Sequence, residues 1–106
     1  MRFPELRQWA ALVAATTGVA GMAFAQGTPP DLQDIVGWRG SAGERALTER
    51  GYVFAHGRPG DDGNSVLTFW RAAKSGACVR VTTSDGKYQS IDAVPPAECQ
   101  PPGTKP

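Results

Sequence analysis

Alternating apolar and polar residues along the second half of the chain predict β-strands. The alternation runs over residues 52–56 and 65–71, and again on either side of a Ser-Asp-Gly turn at 84–86. The segment 56–64 is rich in Gly, Pro, Asp and Asn and predicts a surface loop, while a short connection at 72–76 leads into the last two strands. The pattern therefore predicts four consecutive strands, the last two forming a β-hairpin.

The apolar positions of this hairpin indicate its register. A two-residue loop would set Val81 opposite Ser90, so that apolar residues would face polar ones along the ladder. A three-residue loop instead pairs Val79 with Ile91, and this register is the one predicted. This register places one set of side chains against a core (Ala77, Val79, Val81, Ile91, Ala93). It pairs Thr82 with Tyr88 and leaves the other set on the opposite face (Cys78, Arg80, Thr82, Tyr88, Ser90, Asp92).

The sequence before the strands predicts one main helix over residues 42–50. Ser41 and Glu44 have the spacing of a capping box at its start, and Gly51 is placed to end it in the left-handed conformation. The stripe expected to face the sheet is made of small and aliphatic residues (Ala42, Ala46, Leu47).

A shorter helical turn is predicted upstream. Asp31 can cap it, Leu32, Ile35 and Val36 share one side, and Gly37 ends it. Together these elements predict an α+β domain, with one main helix packed on a four-stranded antiparallel β-meander and a short N-terminal helical turn.

The first 25 residues have the pattern of a secretory signal peptide. Arg2 and Arg7 precede a short apolar run, and Ala23 and Ala25 provide the small residues of a cleavage site before Gln26. A retained membrane anchor is the alternative, although the apolar run is shorter than the roughly 20 residues that a span needs. We therefore expect a periplasmic or secreted protein. It would have a flexible lead-in at 26–30, one domain at 31–99 and a disordered tail at 100–106.

The charge of the processed chain is balanced. The 11 basic and 10 acidic residues become nine of each once Arg2, Arg7 and Glu5 are removed. This balance makes nucleic acid a poor candidate partner. No segment after the signal is apolar enough to enter a membrane, so the expected partner is a protein or an envelope component.

The two cysteines, Cys78 and Cys99, are most simply a disulfide in an exported domain of this size. A reactive or metal-binding pair is the alternative, but there is no CxxC spacing and no histidine near them in the sequence. His56, the only histidine, lies at a strand end and is interpreted as an ordinary surface residue. The acidic turn at 61–64 lacks the carboxylate spacing of a calcium loop. No catalytic residue, metal or cofactor is predicted.

One predicted surface has the composition of a recognition site. If Leu67 and Phe69 face the helix, then Trp70 lies on the opposite face of the sheet. There it would join Arg80, Thr82 and Tyr88, and aromatic residues around an arginine are typical of binding surfaces. The alternative is that the two aromatic residues only shield Cys78 and the returning tail. The inward side of strand 52–56 is left open.

The helix-to-strand sequence GERALTERGY and the hairpin sequence SDGKY fall in the order of one helix followed by four strands. Over residues 41–91 this order resembles small exported bacterial modules of the PepSY and β-lactamase-inhibitor-like kind. The resemblance implies a noncatalytic binding or inhibitory role and carries over no functional residue. The function expected from the sequence is thus a small exported, disulfide-bonded binding module of the bacterial envelope. The alternatives are an inhibitor of an exported enzyme, a structural accessory of an envelope complex and a small hydrolytic enzyme.

Overall fold

The computed structural model describes residues 27–101, which form an α+β domain of the predicted kind. Its four strands lie in one antiparallel sheet, each beside the strand that follows it in the sequence. The elements are a first 3₁₀ turn (Pro30–Ile35), α1 (Gly40–Glu49), β1 (Tyr52–Pro59), β2 (Ser65–Ala72), β3 (Cys78–Ser84), β4 (Lys87–Val94) and a second 3₁₀ turn (Pro96–Cys99). The predicted signal peptide, its cleavage site between Ala25 and Gln26, and residues 102–106 lie outside the described residues.

The main helix does not begin with the predicted capping box. Arg39 occupies the N-cap position and no side chain caps the helix. The Gly40 amide instead donates to the Gly86 carbonyl in the hairpin turn, 2.8 Å away, so a tertiary contact satisfies this donor of the first turn. The end of the helix is as predicted, because Gly51 has a φ of 90° and its amide donates to the Thr48 carbonyl.

The helix packs on the sheet through a glycine that the predicted stripe missed. Gly43, Ala46 and Leu47 are buried, whereas Ala42 is exposed. A Cβ atom on Gly43 would lie within 2.7 Å of three ring atoms of Tyr88. The absence of a side chain at this position therefore lets α1 lie directly on the Tyr88 ring.

The hairpin has a two-residue loop, and the predicted three-residue loop is wrong. Asp85 and Gly86 both have positive φ, 54° and 76°, as the tightest hairpin turns require. Thr83 pairs with Tyr88, but Thr82 then pairs with Ser90, so the ladder contains a bulge. The extra residue in β4 restores an apolar match further along, with Val81 opposite Ile91. It also turns Tyr88 to the helix side of the sheet.

The inward side of β2 is the opposite of the predicted one. Trp70 pairs with Val79 and joins the core under α1, whereas Phe69 pairs with Arg80 on the other face. Alternation alone cannot distinguish these two arrangements, because both sides of β2 carry apolar residues. The core under α1 consists of Leu32, Ile35, Ala46, Leu47, Tyr52, Trp70, Val79, Val81, Tyr88 and Ile91.

The first 3₁₀ turn anchors the N-terminal end of the domain to this core. Leu32 and Ile35 are fully buried, as predicted, whereas Val36 is exposed. Asp31 does not cap the turn, since its carboxylate accepts a hydrogen bond of 3.0 Å from the Tyr52 hydroxyl. Burial, together with this hydrogen bond and the charge of Asp31, raises the pKa of Tyr52 to about 12. Within residues 27–101, no helix has the length and apolar character needed to cross a membrane.

Candidate binding surface

The predicted disulfide is present and organises the face of the sheet opposite α1. Cys78 and Cys99 are bonded, with their Cα atoms 5.9 Å apart. The bond holds the second 3₁₀ turn over this face, where Phe69 and both sulfur atoms form a small buried cluster. Three half-buried residues complete the cluster (Ala55, Leu67, Val94). The domain therefore has a second apolar layer, which covers part of the face that was expected to be open.

The four residues of the predicted recognition surface are not brought together. Trp70 and Tyr88 are 5% and 2% exposed and lie on the helix side, whereas Arg80 and Thr82 are half-buried on the opposite face. The Trp70 Nε1 donates to the Thr68 hydroxyl at 3.0 Å. Burial raises the pKa of Tyr88, whose hydroxyl has no hydrogen-bond partner among the described residues. Both aromatic residues are core residues, so the four cannot act as one surface.

The part of that surface that remains on the opposite face forms a loose pair of charges. Arg80 lies across from Asp92 on β4, with 3.5 Å between Nη2 and Oδ2, and both side chains are about one third exposed. A pair of this length and exposure contributes little binding or folding energy. Arg80 and Thr82 alone do not define a site.

His56 is held by the disulfide layer. Its ring stacks on Phe69, with the ring centroids 4.5 Å apart, and its Nε2 lies 2.9 Å from the Glu98 carbonyl oxygen. Its Nδ1 is buried and has no partner within residues 27–101. The same part of the chain contains no cluster of His, Cys, Asp or Glu side chains suited to a metal ion. These contacts fix His56 as a packing residue beside the second 3₁₀ turn.

The acidic loop before β2 is a local turn, consistent with its interpretation from sequence. The Asp62 Oδ1 accepts hydrogen bonds from the Asn64 amide and from the Ser65 amide and hydroxyl, at 2.9 to 3.0 Å. These bonds lower the pKa of Asp62. The carboxylate is thus engaged in shaping the loop.

The outer edge of β4 is covered by the chain itself, beginning with the residues just before the first 3₁₀ turn. The Gly27 carbonyl accepts a hydrogen bond from the Ala93 amide, and the Thr28 hydroxyl donates to the Ile91 carbonyl at 2.6 Å. The segment 26–30 was expected to be a free lead-in. Where the structure describes it, from residue 27, it is instead hydrogen-bonded to the sheet.

The segment between the first 3₁₀ turn and α1 covers the rest of the β4 edge. The Gly37 amide donates to the Tyr88 carbonyl at 2.7 Å, and the Tyr88 amide donates to the Trp38 carbonyl at 2.8 Å. Arg39 forms an isolated antiparallel bridge with Lys87. These contacts extend the sheet by a short fifth segment and leave β4 protected along most of its length.

The outer edge of β1 has no such cover, since no described segment pairs with it. The direction of its backbone groups follows from the ladder. The Ala72 amide donates to the Ala77 carbonyl, which turns the backbone of Ala72 towards β3. Its partner Tyr52, and Phe54 two residues on, therefore direct their amide and carbonyl groups away from the sheet. A register shift between Phe54 and His56 interrupts this alternation.

Exposed apolar side chains lie along this free edge. Val53 is 46% exposed and Phe54 is 52% exposed, on opposite faces of the sheet. The Phe54 ring meets the Trp70 ring edge-on, with centroids 5.3 Å apart. We call the outward backbone of Tyr52 and Phe54, with the Val53 and Phe54 side chains, the β1 edge site.

The charged side chains of the two strands at this edge have one sign. Arg58 and Arg71 are exposed on the face opposite α1, and neither forms an ion pair within the described part of the chain. β1 and β2 contain no Asp or Glu. β1 and β2 therefore carry only positive charge beside the β1 edge site, although the chain as a whole is nearly neutral. Sequence reasoning missed this site; the adjacent Val53 and Phe54 were the one signal available.

No family model, curated protein or solved structure matched the chain. A function is therefore inferred from the fold and from the geometry of the β1 edge site.

Proposed function

We propose that this protein is a small exported, disulfide-bonded, noncatalytic module of the bacterial envelope that binds a protein partner through the β1 edge site. One observation carries the proposal, the difference between the two edges of the sheet. Residues 27–28 and 37–39 cover the edge of β4, whereas nothing within residues 27–101 pairs with the outward backbone groups of Tyr52 and Phe54 on β1, beside two exposed apolar side chains. An edge of this kind is a template for pairing with another chain.

Three further points support the proposal. The N-terminal 25 residues have the pattern of a signal peptide, and a disulfide is typical of proteins in oxidising compartments. The architectural resemblance to PepSY and β-lactamase-inhibitor-like modules implies a binding role. An inhibitor of an exported enzyme is one form that such a role takes, with the enzyme as the partner.

The test is a capture experiment with two matched variants. Val53 and Val66 are 46% and 49% exposed, but only Val53 lies on the edge strand. The full chain is expressed with its N-terminal segment, recovered from the periplasm in oxidised form, and used to capture partners from periplasmic extract. Val53→Asp should lose a partner that Val66→Asp retains. Equal capture by both variants and the parent would overturn the proposal.

A further inference from the structure

We propose that the β1 edge site binds its partner as an added β-strand, and that this strand is an extended segment with alternating acidic and apolar side chains. The inference rests on the function proposed above and names the chemistry of the partner.

The backbone of β1 limits where the strand can be added. Tyr52 and Phe54 are two residues apart and direct their amide and carbonyl groups outward, which is the spacing that a regular strand requires. Beyond Phe54 the bulge interrupts this spacing, and Pro59 has no backbone N–H to donate to an added strand. The added segment therefore pairs with Tyr52 and Phe54 and does not continue along Gly57.

The side chains beside these two residues determine what the added strand presents on each face. On the α1 side its side chains meet the half-exposed Phe54 ring, so apolar residues suit these positions. On the opposite face they lie beside Val53, and the exposed Arg71 is paired with Val53 from β2, whereas Arg58 lies beyond the bulge. Acidic residues suit this face, because opposite charges within reach of each other attract. Side chains alternate between faces along a strand, so the partner sequence alternates acidic and apolar residues.

A second copy of this chain does not have the required composition. Two β1 strands placed side by side would bring no acidic residue of β1 or β2 near Arg71 of either copy, because these strands contain no Asp or Glu. The charge pattern therefore indicates an acidic segment of a different protein.

Three synthetic peptides test the inference with the oxidised protein. Each is about eight residues long, a usual strand length. The first alternates Glu with Val, the second replaces Glu with Lys, and the third is the Glu peptide with N-methyl groups on its strand-pairing amides. We expect the Glu peptide to bind at least about tenfold more tightly than either of the others, a difference readily measured by fluorescence anisotropy. Hydrogen exchange should slow at the amides of Tyr52 and Phe54 and not at Gly57.

Charge reversal provides the matched variants. Arg71→Glu should shift the preference towards the Lys peptide, while Arg45→Glu, on the exposed side of α1, should leave it unchanged. The inference is overturned if N-methylation has no effect, if protection appears elsewhere, or if the protein self-associates through β1. Failure of the Glu peptide to bind also overturns it. In each case, a partner whose capture depends on Val53 and not on Val66 still supports the proposed function, so the two ideas fail separately.

Discussion

Replacing Gly43 with alanine adds one methyl group where α1 lies closest to the sheet. The new Cβ would lie within 2.7 Å of three ring atoms of Tyr88, closer than packed carbon atoms approach, so the helix or the ring must move. The Tyr88 ring is 2% exposed and is enclosed by the core. Overpacking typically costs about 1 to 3 kcal/mol, and three contacts this close place Gly43→Ala in the upper part of that range, at about 2 to 3 kcal/mol.

Helix propensity acts in the opposite direction. Alanine stabilises an interior helical position by about 1 kcal/mol relative to glycine. We therefore expect Gly43→Ala to lower the free energy of unfolding by about 1 to 2 kcal/mol, and each kcal/mol lowers the Tm of a domain of this size by about 4 to 8 °C. Urea unfolding of the oxidised protein, followed by tryptophan fluorescence, measures the change, and the m value should stay constant.

Two controls separate packing from propensity. Ala42 is exposed on the same turn, so Ala42→Gly should lose up to about 1 kcal/mol from propensity alone. In a Tyr88→Leu background the added methyl has space, and Gly43→Ala should become neutral or stabilising. If Gly43→Ala is at least as stable as the parent, Tyr88 does not lie beneath the helix. The two-residue hairpin loop and the bulge that place it there would then be wrong as well.

Three further predictions concern the disulfide, the two layers of the sheet and the tyrosines. Cys99→Ala should lower the free energy of unfolding by about 3 kcal/mol, since the bond closes a loop between residues 21 apart; an unchanged urea midpoint would contradict this. Trp70→Ala should lower the free energy of unfolding by about 3 to 5 kcal/mol, as for a buried aromatic residue, whereas Arg80→Ala should lower it by less than about 1 kcal/mol. Equal losses for the two variants would contradict the burial of Trp70 and the exposure of Arg80. The pKa values of Tyr52 and Tyr88 are raised, so the unfolded state ionises first. Stability is then complete below pH about 10 and is lost as the pH rises further. Tyrosinate absorbance should appear only with unfolding, and its appearance near pH 10 in the folded protein would refute the burial.

Much of the fold was predictable because its signals are local. Gly51 ends the helix, Leu32 and Ile35 anchor the first turn, and alternation predicts the four strands. The strand bounds were less accurate, since β1 continues to Pro59 through a segment whose turn-forming residues predicted a loop. Gly57 is tolerated within β1 because β1 is an edge strand, which needs to pair with a neighbouring strand on one side only.

The candidate surface was predicted less well, because it depended on register. A single bulged residue in β4 moves Tyr88 from one face to the other, and no local pattern identifies that residue. For β2 the side that meets the helix was ambiguous, since Trp70 and Phe69 are both apolar and each is buried in a different layer. The β1 edge site required knowledge of which edge the chain covers, and that follows only from contacts between distant segments.

The closure of the β4 edge also has a consequence for the order of folding. Thr28 and Ile91 are 63 residues apart in sequence. The segment around Thr28 is synthesised early in the domain, but its hydrogen bond can form only after the last strand, β4, has been made. Contacts of such long range form slowly, because the chain must lose the entropy of closing a large loop before it gains the contact. Until then the edge of β4 is exposed to pairing with other chains. Newly made chains are therefore expected to be most prone to aggregation just before this N-terminal segment reaches β4.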